Sequence, residues 1–222
     1  KIIIKLFKKI VSFIYDNSDL IIVQSQSFKV EINKVTSTEC FYFSSWPEEN
    51  INLDDQSFSQ KIPKNQKRLK ILFTGNIGEA QSFESIIECA KLLKDKDFVQ
   101  WIIIGDGRWK NKLIKLIKYN NLENHFHLID SVPPSEIKSL TNHADMLLIT
   151  LKNNDTFRKT IPGKLYTYLA MGKPIMGMIS GDANKVIEES SSGFSCEADD
   201  YLTLKDNIIK FSKLDQENRQ KL

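Results

Sequence analysis

Cysteine is scarce. The 222-residue chain has three, Cys40, Cys89 and Cys196, widely spaced and without a Cys-x-x-Cys pair. That argues against a disulfide scaffold and against a zinc ribbon, and makes reduced cytosolic thiols the expectation. Glycine and proline are sparse too, at 9 and 6 residues, which excludes collagen-like and low-complexity chains. Neither sign of charge dominates: 31 basic against 28 acidic side chains leave +3, too little to argue for nucleic acid as a partner. No apolar run approaches the ~18 residues that a membrane-crossing helix needs. The chain opens on Lys1 rather than Met, and no small-residue cleavage site follows its first apolar stretch. The expectation is therefore no signal peptide, and a start cut from a longer protein. What is present is a globular composition, 41% hydrophobic and 27% charged, long enough for one to one and a half domains.

The first fifteen residues read as a basic amphipathic helix. At about 100° per residue, Lys1, Lys5, Lys8, Lys9 and Ser12 share one narrow arc, and Ile3, Leu6, Phe7, Ile10, Phe13 and Ile14 cover the other side. Two placements fit. The wide apolar side packs inside an N-terminal domain with the lysines in water, which its breadth favours. Or the helix lies on an anionic membrane surface, where each lysine contributes about 1 kcal/mol. Asp16 to Asp19 ends the helix, Leu20–Val23 reads as a short buried strand, a helix runs from about Ser25 to Lys34, and Cys40–Phe43 is a second strand. Trp46 to Asn65 is polar, with Pro47 and Pro63, and reads as a linker. The expected division is residues 1–62, then 63–222.

Beyond the linker, strand and helix patterns alternate. Strands are expected at Ile71–Thr74, Trp101–Ile104, Phe126–Ile129, Met146–Thr150, Pro174–Met178 and Phe194–Cys196. Helices are expected at Ser82–Lys94, Trp109–Tyr119, Pro134–Asn142, Pro162–Met171 and Ala183–Ser190, with a last one from about Leu202. Pro134 and Pro162 suit first-turn positions and Gly172 a C-terminal cap. The strands are apolar throughout rather than alternating, as a sheet covered on both sides requires. The fold class is α/β: a Rossmann-like parallel sheet with helices on both faces.

Ligands of such sheets bind at the carboxyl ends of the strands, and four loops there stand out. Thr74-Gly75-Asn76-Ile77-Gly78-Glu79-Ala80-Gln81 has two glycines that let backbone N–H groups approach a phosphate, ahead of a helix whose positive end faces the loop; an ordinary strand-to-helix turn fits the glycines equally. Gly105-Asp106-Gly107 resembles the start of a dinucleotide fingerprint without its third glycine, and a plain tight turn is the simpler reading. Asp130-Ser131-Val132-Pro133-Pro134 offers backbone to a flat base edge, or is a stiff connector. Thr160 to Pro174 opens a helix on Pro162 and Gly163, leaving free N–H groups. Lys164 stands in its first turn, where a cation opposes the helix dipole by several tenths of a kcal/mol, roughly. That position makes sense when the lysine faces an anion.

His125 and His127 share a strand face but lack a third partner for a metal. Asp54-Asp55 and Asp199-Asp200 read as solvated turns, His143 as a helix-end residue, and Trp101 and Trp109 as packing residues.

The segments TGNIGEAQSFESIIECAKLL, WIIIGDGRWKNKL, HADMLLITL and TIPGKLYTYLAMGKPI, then GDANKVIEESSSGF, occur in that order. Together they resemble the C-terminal, donor-binding domain of a family 4 glycosyltransferase of the GT-B type, over roughly residues 67–222. The subgroup resembled transfers hexosamine-type or deoxyamino sugars in bacterial polysaccharide assembly. SDLIIVQSQSFKVEINK with the following strand and WPEE resembles the end of the N-terminal, acceptor-binding domain, most of which is then absent. The resemblance implies a nucleotide-sugar donor, most often UDP-linked, and a glycan or lipid-linked acceptor. It implies retained configuration and no catalytic metal or other cofactor. A cytoplasmic site at the inner membrane face is expected, with peripheral contact through residues 1–15. It places Gly75, Asn76, Gly78 and Gln81 beside the diphosphate and sugar. Gly105, Asp106 and Gly107 shape the nucleotide pocket, and Ser131 and Val132 meet the base through their backbone. Pro162, Gly163, Lys164 and Leu165 form the helix start that cradles the diphosphate, with Lys164 the catalytic cation. Two positions depart from the pattern. Thr167 replaces a glutamate that takes the ribose hydroxyls, and Lys159 replaces one that holds the sugar. The basic residue usual after the first glycine loop is also missing, with Glu79 in its neighbourhood. Alternatives on the same fold are a nucleotide-sugar epimerase, a phosphorylase, or a binding subunit without turnover.

Overall fold

The computed structural model describes residues 2–47, 62 and 67–222. The expected linker, with Pro63 and Asp54-Asp55, lies outside the described residues apart from Trp46, Pro47 and Ile62, as does Lys1.

The chain begins with α1 (Ile2–Asp16), β1 (Ile21–Val23), α2 (Gln26–Ile32) and β2 (Cys40–Tyr42), β1 and β2 pairing in parallel. No residue of α1 is buried. Ile3, Phe7 and Phe13 are each more than 60% exposed, so nothing among the described residues covers the apolar side. The end of α1 is held by Thr36 and Thr38 on Asp16 and on the Tyr15 carbonyl. β1 is buried only at Val23, because two strands cannot cover both of their own faces.

The larger part holds six parallel strands in the order β5-β4-β3-β6-β7-β8. They are β3 (Leu69–Thr74), β4 (Val99–Ile104), β5 (Phe126–Ile129), β6 (Met146–Thr150), β7 (Ile175–Met178) and β8 (Gly193–Cys196). Between them run α3 (Phe83–Leu93), α4 (Lys110–Tyr119), α5 (Pro134–Thr141), α6 (Asp155–Arg158), α7 (Gly163–Ala170) and α8 (Asp182–Glu189), followed by α9 (Tyr201–Ser212) and α10 (Gln216–Gln220). The strands' alternating side chains feed two cores. Ile71, Phe73, Trp101, Ile103 and Leu148 face α3, α4 and α9, while Leu72, Ile102, Leu147 and Ile149 face α5, α7 and α8. This two-sided burial explains why the strands are apolar throughout. Ile62 is already buried in the second core.

Element ends differ from expectation by one or two residues, and α6 and α10 are additional. Pro134 holds its first-turn place and Gly172 follows α7 with φ 60°. Pro162 is instead the cap residue before α7, with φ −63° and ψ 133°. An extended ψ there suits a residue whose N–H is absent and whose carbonyl starts the first turn.

Strand order runs outward from β3 in both directions, so the switch point lies between β3 and β6. Their ladder stops at Leu72 and Leu147, whereas β3 stays paired with β4 to Thr74 and Ile104. Beyond that point the two loops stay tied, Lys152 N donating to Ala80 O at 2.8 Å.

Candidate functional site

The loops after β3 and β4 interlock. Gly75 N donates to Ile104 O at 2.8 Å, Ile77 N to Asp106 O at 2.7 Å, and Trp109 N to Ile77 O at 3.0 Å. The contact is so close that only glycine fits at two points. Gly105 has φ 147°, and a Cβ there would lie 1.9 Å from Gly75 O; Gly107 has φ 156°, and its Cβ would meet Ile77 O at 2.3 Å. The glycines of the second loop thus serve this seam between loops.

Above the seam is a hollow of about 270 Å³ lined by Gly75, Asn76, Ile104, Gly105, Asp106, Ser131, Val132 and Ile137. It joins three of the four loops singled out in the sequence. Two larger hollows, about 660 and 340 Å³, open at the other edge of the sheet around Asp145 and Arg219. Their cations are already engaged: Lys173 bonds the Asn142 and Ala144 carbonyls, and Arg219 those of Leu214 and Ser212. The smaller hollow lies at the carboxyl ends of the strands, where this fold takes ligands.

The fourth loop brings Lys164 against Gly75, beside the hollow and outside its lining. Its Nζ sits 3.9 Å from the centroid of the Phe73 ring. A Cβ on Gly75 would lie 2.9 Å from that Nζ. Among the described residues no hydrogen bond or ion pair engages the ammonium, and burial pushes its pKa down to about 7. The side chain thus lies over an aromatic face without a counter-ion among the described residues, at the start of a helix whose first N–H groups lack intrahelical acceptors.

The other expected residues fall into place unequally. Gln81 Oε1 accepts from Gly78 N at 3.1 Å, so that side chain shapes the loop. Asp106 turns onto its own loop, accepting from Gly107 N at 2.7 Å. Leu165 is wholly buried and its N–H is taken by Pro162 O at 2.8 Å; it supports the helix start from the core instead of lining the site. Gly163 has nothing near its missing Cβ, which leaves open space beside the helix start. Thr167 lies one turn into α7 and does not line the hollow. Lys159 turns away, its Nζ 3.2 Å from Glu31 of α2 and its carbonyl accepting from Ser25 Oγ at 2.5 Å. Glu79 points outward, 3.4 Å from Lys152 Nζ. His125 lies 3.7 Å from Asp97.

Sequence inspection missed Tyr168 and Asp199. The buried Tyr168 hydroxyl accepts from Thr74 N at 3.0 Å and lies 3.1 Å from Thr74 Oγ1, pinning the end of β3 to α7. The paired tyrosines of YTY were the available signal. Asp199-Asp200 is not a solvated turn. Asp200 caps α9 by accepting from Thr203 N at 3.0 Å, and Asp199 bonds Ser82 and Ser85 at the start of α3 and Asn153 in the β6–α6 turn.

An all-parallel sheet of this order, with a hollow over the carboxyl ends of β3, β4 and β5, is the Rossmann-like half of the GT-B architecture. Superposition with solved structures agrees. A structure of Anabaena Alr3699/HepE in complex with UDP-glucose matches with a TM-score of 0.76 at 15% identity, over 96% of this chain and 59% of that one. The family follows from sequence: the chain belongs to the glycosyl transferases group 1 family, whose model matches residues 54–222. Among curated relatives, the putative colanic acid biosynthesis glycosyltransferase WcaL of Escherichia coli is 26% identical over 149 residues, 66% of this chain and 37% of its own. The amylovoran biosynthesis glycosyltransferase AmsK of Erwinia amylovora is 26% identical over 175 residues, 75% of this chain and 43% of its own. The chain therefore spans well under half the length of these two relatives.

Proposed function

We propose that this chain is the donor-binding part of a retaining glycosyltransferase that uses a UDP-sugar to extend a glycan or lipid-linked acceptor in polysaccharide assembly. One observation carries the proposal: the unpaired, inward-facing ammonium of Lys164 against Gly75, beside the hollow that gathers Gly75, Asn76, Gly105, Ser131 and Val132. A nucleoside diphosphate matches it part by part. The base lies toward Ser131 and Val132, and the diphosphate between Gly75 and the start of α7. As the bond from the anomeric carbon to the phosphate oxygen breaks, negative charge builds on the departing diphosphate. One preorganised cation contributes roughly 3 kcal/mol at such a point. Support comes from the HepE complex with UDP-glucose and from the polysaccharide systems named for WcaL and AmsK.

Calorimetric titration of the 222-residue chain with UDP, UDP-sugars and other nucleotide sugars tests the donor site; silence across the whole panel refutes it. A product assay on the full-length enzyme then separates sugar transfer from epimerisation, phosphorolysis and binding without turnover.

A lipid-linked acceptor would put the reaction at the inner membrane face, and α1 supports that reading. No described helix is long and apolar enough to cross a membrane, but α1 carries exposed Phe7, Ile10 and Ile14 with Lys5, Lys8 and Lys9, a combination that binds anionic lipid surfaces. Flotation with and without anionic phospholipid, comparing the chain with a Lys5, Lys8 and Lys9 to Glu variant, measures this contact. Equal binding by both would remove it.

A further inference from the structure

The glycine loop after β3 is held from two sides. Its seam with the β4 loop was described above. On the other side, Thr150 Oγ1 donates to Gln81 O at 2.6 Å and Lys152 N to Ala80 O at 2.8 Å. At the end of this second set stands Asp199, in the turn after β8. That strand is separated from β3 by β6 and β7. One carboxylate oxygen of Asp199 accepts from Ser82 Oγ and, at 3.2 Å, from Ser85 Oγ; the other accepts from Asn153 N at 2.9 Å. A single side chain thus ties the start of α3 to the β6–α6 turn.

The backbone at both ends of this tie is unusual. Ser82 has φ 49° and Asp199 φ 67°, a left-handed conformation that glycine adopts freely and other residues adopt at a cost. Glycine at either position would relax the chain and delete the bond. Two strained residues kept for the sake of one mutual bond point to a need for the bond that general stability does not explain.

We infer that Asp199 is a positioning residue that fixes the glycine loop, residues 75–81, at the height where Gly75 and Asn76 border the proposed donor hollow. The inference rests on the donor site proposed above. Asp199 itself touches no part of the hollow; it acts through Ser82 and the β6–α6 turn.

Four variants test it: Ser82→Gly, Asp199→Gly, the double, and Asp199→Asn. Three quantities are measured on the 222-residue chain: UDP-sugar affinity, amide hydrogen exchange at Asn76–Gln81, and melting temperature. Because strain relief offsets the lost bond, Asp199→Gly is expected to melt close to the parent. Its donor affinity falls about tenfold, since small misplacements of binding groups are expensive, and exchange at Asn76–Gln81 accelerates by a similar factor. The double variant loses no more than Asp199→Gly alone, as for two ends of one interaction. Asp199→Asn keeps an acceptor for the serines but not for Asn153 N, and falls between. Unchanged exchange and affinity in Asp199→Gly overturn the inference. So do losses that merely follow a falling melting temperature. If the parent chain binds no nucleotide sugar, the donor assignment fails by itself. The exchange at Asn76–Gln81 then still decides the tie: acceleration without a lower melting temperature upholds it, and no acceleration removes it.

Discussion

Replacing Lys164 with methionine removes the ammonium and keeps the length of the side chain. Two opposite effects follow from the structure. In the free chain the ammonium is desolvated, with only the Phe73 ring to face. Its pKa falls from 10.5 to about 7, which at about 1.36 kcal/mol for each pH unit comes to ~5 kcal/mol. Rearrangement and water reaching the half-buried stem take back most of that, so Lys164→Met is expected to gain about 1–2 kcal/mol near pH 7, or ~2–8 °C in melting temperature for a chain of this size. The sign has its own check. The folded chain binds fewer protons than the unfolded one between about pH 7 and 10.5, so the parent gains stability as pH rises through that window and the variant does not. Donor binding moves the other way. A charge-assisted contact to the diphosphate contributes ~1.5–3 kcal/mol, so Lys164→Met should bind a UDP-sugar at least tenfold more weakly at pH 6.5. Parent affinity should decline above pH 7, because binding must then restore the proton, and the variant should lack that slope. Calorimetry at pH 6.5 and 8.5 with melting curves at both decides the matter. A variant that melts lower and binds the donor equally well would refute the assigned role.

Gly105→Ala forces a Cβ to within 1.9 Å of Gly75 O at a φ of 147°; urea titration should show a loss above ~2 kcal/mol together with loss of the donor site. Tyr168→Phe leaves Thr74 N without its buried acceptor, for a cost of ~1–3 kcal/mol in the same assay. Burial pushes the Cys196 thiol up to about 12, and Cys89 higher still. Both should therefore resist a thiol reagent at pH 8 in the folded chain and react in denaturant.

The sheet was legible because burial on both faces imposes a mainly apolar composition on the four central strands, while the edge strands β5 and β8, only partly buried, carry it more weakly. Helix starts at prolines and the stop at Gly172 were legible because those residues restrict the backbone by themselves. The four-residue α6 was not, since it completes barely one turn and has no period to display. Lys164 was visible as a cation at the wrong end of a helix. Its perch on Phe73 was not, because the two come together only through the sheet. Ser82 and Asp199 left no trace at all: each adopts a backbone conformation that its residue type does not announce, and neither explains itself without the other. What covers α1 was not legible either, since periodicity marks which side is apolar and says nothing about its partner.

The central place of β3 has a consequence for how the protein is made. Ile71 pairs on one side with Trp101 and on the other with Met146. A chain emerging from the ribosome can close the first of these ladders early. It must then wait for the second, with one edge of a central strand unclaimed. Until Met146 arrives, the nascent half-sheet is open to rival strands. Slowing translation just before β6 should lengthen that vulnerable interval, and slowing it after β8 should not.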